Sequence, residues 1–190
     1  MQYKKKDIND RILEAGKAEY LSKGYRAGNI AAIAAAAGVP VGNLYRYFDG
    51  KAGLLDAIVK QVYVDTPALA KELAQVDSSG ELKEIMAMLA GRLLSMFDSY
   101  GTELLILADK CASTRYEDFT SILADRVAEL IKSKLYPSPT ETDAHMAKLI
   151  ANSFTSSLFD ILRCNLPREK TEEMLLRMLN YHFLDVDSRK

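Results

Sequence analysis

The side chains best suited to recognition chemistry lie close together in one short segment, residues 41–48. On a helix, Leu44 and Phe48 would share a buried face, and the remaining positions would point outward. Those outward positions hold Val41, Gly42, Asn43, Tyr45, Arg46 and Tyr47. Arginine can contact guanine bidentately, asparagine can contact adenine, and tyrosine hydroxyls can bond phosphates. The segment therefore predicts a surface that reads double-stranded DNA.

A helix, a tight turn and a second helix would hold this segment in place. Asn29 can cap a helix over residues 30–37, because its side-chain oxygen can accept from the first free backbone amides. The sequence Gly38-Val39-Pro40 then breaks the helix, and glycine at 38 allows a backbone conformation that other residues resist. This order of elements predicts a helix-turn-helix whose second helix covers residues 41–48.

The rest of the chain also reads as helical. Apolar residues at spacings of three and four predict a first helix over residues 7–23, ended by Gly24, and a fourth helix from Lys51 past Val64. Further helices are predicted from a capping box at residues 78–81 to residue 100, over 101–111, over 117–135, from a cap at Ser138 to about 164, and over 167–186. The fold class is therefore all-α, with about nine helices and no convincing strand.

Composition and charge narrow the function classes. Hydrophobic residues make up 48% and charged residues 27% of the 190 residues, a globular mix. Long apolar runs and a secretory leader are not found, and two cysteines suggest buried thiols in a reducing cytoplasm. Residues 1–60 carry ten basic and six acidic side chains, whereas the whole chain has a net charge of −1. Any contact with a polyanion is therefore expected at the N-terminal third, and the alternative is that the charge offset arises by chance.

The Gly38-Val39 pair, the run Leu44-Tyr45-Arg46-Tyr47-Phe48 and the element Lys51-x-x-Leu54-Leu55 occur together at a specific spacing. Over about residues 8–60 the chain resembles the TetR/AcrR family of transcriptional regulators. The resemblance implies an N-terminal three-helix, homeodomain-like DNA-binding domain over residues 1–50. It also implies an effector-binding and dimerisation domain over residues 51–190, with helix four, residues 51–66, as the connector.

The resemblance further implies a sequence-specific regulator, a repressor that binds a palindromic operator as a homodimer and is released by a small, largely apolar effector. Gly42, Asn43 and Arg46 would lie nearest the bases, while Tyr45, Tyr47 and Lys51 would contact phosphates. Lys4, Lys5 and Lys6 could form a flexible arm. The chain departs from the family pattern at Gly28 and Asn29, in the alanines of helix two, and at Val41, which could contact a thymine methyl group.

A dimer surface is required because one recognition helix covers only a few base pairs. The last two helices carry near-heptad apolar stripes that suit a four-helix interface. The predicted interface residues are Phe154, Leu158, Ile161, Leu175, Met178, Leu179, His182 and Phe183. The alternative is that part of each stripe packs within one subunit.

The middle helices are rich in methionine and aromatic residues, which suit an adaptable apolar effector site. The predicted effector residues are Met86, Leu89, Leu93, Met96, Phe97, Tyr100, Leu104, Leu107, Phe119, Leu123, Phe154 and Leu158. The alternative is that these residues form plain core.

Catalysis has little support in the sequence. The two histidines, His145 and His182, lack metal-ligand spacing, and no catalytic residue, metal or cofactor is predicted. Two other interpretations stay open. One is a helical small-molecule sensor with weak or vestigial DNA binding, favoured by the alanine-rich helix two and Val41. The other, an all-α enzyme, needs a polar constellation that the sequence does not display.

Overall fold

The computed structural model describes residues 2–74, 82–136 and 138–183. Within those residues the chain forms eight helices and no strand. Their bounds are α1 Gln2–Ala27, α2 Ile30–Ala36, α3 Val41–Tyr47, α4 Gly50–Ala74, α5 Leu82–Asp109, α6 Phe119–Leu135, α7 Glu141–Arg163 and α8 Arg168–Phe183. The predicted all-α class is confirmed.

The difference between nine predicted helices and eight observed ones lies at Tyr100. The two helices predicted before and after this residue form one element, α5, in which Tyr100 leaves helical geometry at φ −139° and ψ 17°. The helix therefore bends at the predicted junction instead of ending there, because the turns on either side continue through it.

Two compact units divide the chain at other places than the predicted boundary near residue 50. The first unit comprises Met1–Asp65 and Thr102–Phe119, and the second comprises Thr66–Gly101 and Thr120–Lys190. Residues 102–109 at the end of α5 and the following loop thus belong to the unit that holds α1–α3. Such an assignment needs contacts between distant segments, which sequence periodicity does not reveal.

The first unit is built on α1 and the first part of α4. Gly16 of α1 allows close packing, since a Cβ there would lie 3.0 Å from Ile58 Cδ1 and 3.1 Å from Leu54 Cδ2. Regular helix geometry breaks at Gly24, which has φ 75° and ψ 166°. The amide of Tyr25 is then free to donate to the carbonyl of Lys110 over 2.8 Å. The predicted break at Gly24 is confirmed, although helical turns resume as far as Ala27.

A second link joins α1 to the later segment of the same unit. Lys17 Nζ lies 2.7 Å from Glu103 Oε1, and the carboxylate of Glu103 is almost completely buried. Burial opposes the charged lysine, but the hydrogen bonds that Lys17 donates to Glu103 and Glu14, together with the negative charges of these carboxylates, outweigh burial and raise the pKa of Lys17 above its ordinary value. The unit is therefore tied together by a charged contact as well as by its apolar core.

The second unit contains α7 and α8, which pack on each other. Buried side chains of α7 include Ala151, Phe154 and Leu158, and those of α8 include Leu175 and Leu179. The two helices bury their apolar stripes against one another within this unit.

The start of α7 differs from the predicted cap. Its N-cap is Thr140, in a capping box with Asp143, and not Ser138. Asp143 at the third helical position reaches back to the Thr140 amide, which Glu141 is too early to do. The predicted capping box at residues 78–81 lies outside the described residues.

The two cysteines differ in their exposure to solvent. Cys111 is buried but Cys164 is exposed, so the interpretation of both cysteines as buried thiols is wrong for Cys164, which follows the last turn of α7. Among the described helices, none has the length and apolar content needed to cross a bilayer.

Candidate nucleic-acid interface

The turn between α2 and α3 is fixed by a pair of backbone hydrogen bonds around Gly38. The amide of Val39 donates to the carbonyl of Ala34, and the amide of Gly38 donates to the carbonyl of Ala35, each over 3.0 Å. Gly38 itself has φ 65°, a left-handed conformation that glycine adopts without steric cost. These bonds form a Schellman motif, which ends α2 and sets the direction of the chain into α3.

The start of α2 is fixed as the sequence predicts. The side-chain oxygen of Asn29 accepts from the amides of Ala31 and Ala32 over 2.7 and 3.2 Å, which confirms Asn29 as the N-cap. Its own amide donates to Glu19 Oε1 over 3.0 Å. Lys23 Nζ also contacts this carboxylate at 2.9 Å. Asn29 therefore holds α2 against α1.

Helix α3, the predicted recognition helix, presents most of the predicted residues to solvent. Leu44 is fully buried and anchors the helix, while Tyr45 is 59% and Val41 is 40% exposed. Gly42 and Arg46 are exposed as well, and a Cβ on Gly42 would meet nothing within 4 Å. Asn43 and Tyr47 are only half-buried. The helix thus offers one arginine, one tyrosine and an open glycine backbone to a partner.

Lys51, predicted to contact phosphate, is engaged inside the unit. Its Nζ donates to the carbonyl of Arg26 over 3.0 Å and lies 4.8 Å from the ring centroid of Tyr25. Its backbone carbonyl accepts from the buried hydroxyl of Tyr20 over 3.1 Å. Lys51 therefore joins the N-terminus of α4 to the end of α1, and a phosphate would share the ammonium with these partners.

The predicted flexible arm is wrong for the backbone of residues 4–6, which is helical from Gln2 onward. The helical pattern of α1 continues upstream of Asp7, since nothing in the sequence there breaks it.

A cation that the sequence reasoning missed lies beside the turn. Arg11 Nη1 is 3.6 Å from the position that a Cβ would occupy on Gly38. Arg11 is exposed and pairs with Asp7 one turn earlier, with 3.5 Å between Nε and Oδ2. The sequence does contain one indication of such a residue. No charged residue occurs between Arg26 and Arg46, so a basic side chain near the turn would have to come from another segment.

The predicted effector residues fall in both units. Leu104, Leu107 and Phe119 are buried in the core of the first unit, which also holds α2 and α3. The other nine lie in the second unit, where Met86, Leu93, Phe97, Leu123, Phe154 and Leu158 are buried, Leu89 and Met96 are half-buried and Tyr100 is exposed.

The predicted dimer residues need a correction. Six of the eight are buried within one subunit, so they form its core and not an accessible interface. These six are Phe154, Leu158, Ile161, Leu175, Met178 and Leu179. His182 and Phe183 are half-exposed and meet the Phe154 ring edge to face, with ring centroids 5.7 and 5.3 Å from it. The apolar stripe faces inward because α7 and α8 pack on each other through it.

Polar atoms of the second unit include two that lack partners. Thr155 Oγ1 and Asn180 Oδ1 are buried and have no hydrogen-bond partner among the described residues. Across the described ranges, no group of three or more His, Cys, Asp or Glu side chains could hold a metal ion.

Comparison with known proteins adds to this geometry. Residues 12–58 match the sequence profile of bacterial regulatory proteins of the tetR family. The HTH-type transcriptional repressor KstR of Rhodococcus jostii (strain RHA1) is 28% identical over 165 residues, which cover 80% of this chain and 72% of KstR.

Solved structures share the fold. The crystal structure of NalD, the secondary repressor of the MexAB-OprM multidrug efflux pump in Pseudomonas aeruginosa, has a TM-score of 0.62 and 23% identity, covering 95% of this chain and 96% of NalD. The SmeT–triclosan complex has a TM-score of 0.58 and 18% identity, covering 92% of this chain and 90% of SmeT.

Proposed function

We propose that this chain, whose residues 12–58 match the profile of bacterial regulatory proteins of the tetR family, is a ligand-released repressor that binds a palindromic operator as a homodimer. The observation that carries the proposal is α3. A left-handed glycine turn fixes the start of this helix, Leu44 anchors it, and Tyr45 and Arg46 are exposed on it. A helix of this kind can enter the major groove with its N-terminal residues at the base edges.

We assign the contacts according to side-chain chemistry. Arg46 and Asn43 contact base edges, Val41 contacts a thymine methyl group, and the open backbone at Gly42 approaches the groove. Tyr45 and Tyr47 bond phosphates through their hydroxyls. Lys51 contributes to a phosphate contact with the part of its ammonium that Arg26 does not occupy. Asn29 supports these contacts indirectly, because its side chain caps the N-terminus of α2.

The dimer uses the exposed faces of α7 and α8. Leu149 is 61% and Tyr181 is 71% exposed, and Met146 is also exposed. Ser153 and Ser156 of α7 are also exposed, and their side chains are small. Small residues let helices approach closely, and a tyrosine suits an interface that is apolar at one end and wet at the other. A twofold partner would place a second recognition helix on the second half-site.

The effector is a mainly apolar molecule with one polar group. The second unit supplies aliphatic and aromatic side chains, and the unpartnered oxygens of Thr155 and Asn180 suit a hydrogen bond to such a group. The related protein SmeT forms a complex with triclosan. Effector binding favours a dimer geometry in which the two recognition helices no longer match successive major grooves. A coupling free energy of about 1–3 kcal/mol suffices for such a switch.

The protein acts without catalysis and in the cytoplasm, where its operator is. Binding of fluorescent DNA fragments from the region flanking its own gene tests the proposal. One palindrome should be bound at least about a thousandfold more tightly than random DNA, with two protomers per site. Arg46→Ala should reduce the preference between palindromes that differ at one base pair. Equal affinity for all DNA would refute the proposal.

A second candidate function is a helical small-molecule sensor with weak DNA binding. The specific observation in its favour is α2, whose exposed positions Ala31, Ala35 and Ala36 carry no charge. In that case a small-molecule ligand would co-purify with the protein, and DNA fragments would be bound only weakly and without preference for a palindrome.

A further inference from the structure

The helix-turn-helix of this protein carries little positive charge. Neither α2 nor the turn that follows it contains a charged residue, and the first cation after Arg26 is Arg46. Duplex DNA carries about one negative charge per 1.7 Å of its length, and affinity depends on the number of phosphates that lysines and arginines neutralise. The cations around the recognition helix must therefore come from neighbouring segments.

Arg11 of α1 occupies the required place. Its Nη1 lies 3.6 Å from the Cβ position of Gly38, so the guanidinium is beside the turn. Val41, the first residue of α3, is only three residues further along, a distance of at most about 11 Å even for an extended chain. The N-terminal end of a recognition helix is the part that meets the groove, and phosphates border the groove on both sides.

The side chain of Arg11 is also available. It is 48% exposed, and its ion pair uses Nε, which lies 3.5 Å from Asp7 Oδ2. Asp7 is 65% exposed, and exposed pairs of this kind are weak because water and salt screen them. The two Nη groups of a guanidinium remain suited to the two oxygens of a phosphate.

Lys51 is more strongly engaged within the fold than Arg11 is. Lys51 donates to the Arg26 carbonyl and lies over the Tyr25 ring, so its ammonium is partly committed to the fold. Arg11, by contrast, makes a weak exposed pair with its neighbour in α1. A phosphate can displace Asp7 from Arg11 at a lower cost than it can displace two structural partners from Lys51.

We propose that Arg11 binds an operator phosphate beside the α2–α3 turn, supplying the positive charge that α2 lacks, and that Asp7 holds and partly neutralises Arg11 until DNA arrives. This assignment rests on the proposed DNA-binding function. It makes Arg11 a determinant of affinity for any sequence, whereas Arg46 determines which sequence is preferred.

The experiment measures dissociation constants of the full-length protein for the operator fragment and for random DNA over a range of salt concentrations. Arg11→Ala should weaken binding to both by about tenfold and reduce the slope of log K against log salt by about one per subunit. Arg11→Lys should keep most of the slope. Arg126→Ala is the matched control, since Arg126 is exposed on α6 and its removal changes the net charge equally. It should match the wild type.

A separate experiment tests the role of Asp7. Asp7→Asn should tighten binding several-fold at low salt in the wild-type background, and it should have a much smaller effect in an Arg11→Ala background. Thermal melts of each variant check that it is folded, and Arg11→Gln provides a second neutral variant of similar length.

The outcomes separate this assignment from the proposed function. If wild-type protein binds its operator and Arg11→Ala and Arg11→Gln keep both its affinity and its salt slope, the assignment of Arg11 is overturned while the repressor function stands. A wild-type protein that binds no DNA overturns both. An equal effect of Asp7→Asn with and without Arg11 overturns the part assigned to Asp7.

Discussion

The ring of Tyr20 lies directly against the backbone of Gly28. A Cβ on Gly28 would be 2.8 Å from Tyr20 Cδ1 and 2.9 Å from Cε1, closer than carbon atoms can approach. Tyr20 cannot yield easily, because it is fully buried and its hydroxyl donates to the carbonyl of Lys51 over 3.1 Å. This contact explains why position 28 is glycine, immediately before the Asn29 cap.

Gly28→Ala should therefore lower the free energy of unfolding by about 1–3 kcal/mol, the usual cost of overpacking a core. Gly42→Ala is the matched control, because its Cβ would meet nothing within 4 Å. That substitution should leave stability unchanged or raise it by up to about 1 kcal/mol, since glycine is a poor helix former. Urea denaturation monitored by circular dichroism measures both, and equal effects at the two positions would contradict the packing argument.

Lys51 should contribute to stability as well as to DNA affinity. Lys51→Met keeps the apolar stem but removes the donor to the Arg26 carbonyl and the charge over the Tyr25 ring. The free energy of unfolding should therefore fall by about 1 kcal/mol. Lys60→Met is the control, since Lys60 is exposed on the same helix. Urea denaturation compares the two variants. A Lys51→Met protein as stable as the Lys60→Met protein, with weaker DNA binding, would show that Lys51 serves DNA alone.

Glu19 should make the first unit sensitive to acid. The hydrogen bond from Lys23 and that from the Asn29 amide hold the pKa of Glu19 below its ordinary value of 4.5, although burial acts in the opposite direction. The carboxylate therefore stabilises the fold fully above pH 4.5, and this contribution is lost as the pH falls through the lower pKa of the folded state.

Glu19→Gln tests this linkage by urea denaturation at several pH values. The variant should be less stable than the wild type at neutral pH, and the difference should shrink in acid as the wild-type carboxyl becomes protonated. Parallel pH profiles for the two proteins would contradict the role given to Glu19.

Two buried threonines of the second unit should respond oppositely to the same substitution. Thr155 is 4% exposed and its Oγ1 has no partner in the described part of the chain, so Thr155→Val should raise stability by about 1 kcal/mol. Thr171 Oγ1 donates to the carbonyls of Leu166 and Pro167 over 3.1 and 3.3 Å, so Thr171→Val should lower stability by about 1 kcal/mol. Thermal denaturation checks both signs. A loss at both positions would mean that the Thr155 hydroxyl is satisfied.

The two cysteines should differ strongly in reactivity. Cys164 is exposed, whereas Cys111 is buried and its burial raises the pKa of the thiol to about 11. A thiol reagent such as DTNB should modify one group quickly in the native protein and the second only after denaturant is added. Cys164→Ser should abolish the fast phase. Two fast groups would show that the loop around Cys111 opens readily.

Local patterns in the sequence are sufficient to predict the fold class and the helix-turn-helix. The side-chain cap of Asn29 and the backbone bond of Gly38 involve residues within three positions, so both follow from nearby sequence. The bend at Tyr100 is also a local feature. In the sequence it is predicted as a helix boundary, because two runs of periodic apolar residues meet at the Tyr100–Gly101 junction. The resemblance carried by residues 38–55 depends on equally local motifs.

Only the tertiary structure decided which helix each apolar stripe packs against and which residues the long charged side chains contact. Periodicity shows that Phe154 and Leu175 lie on apolar faces, but a stripe has the same pattern whether it packs within a subunit or between two. The long side chains of Arg11 and Lys51 reach residues 27 and 25 positions away, Gly38 and Arg26, and no spacing rule connects such pairs. Contacts of this kind depend on how helices pack, which is determined by the whole core at once.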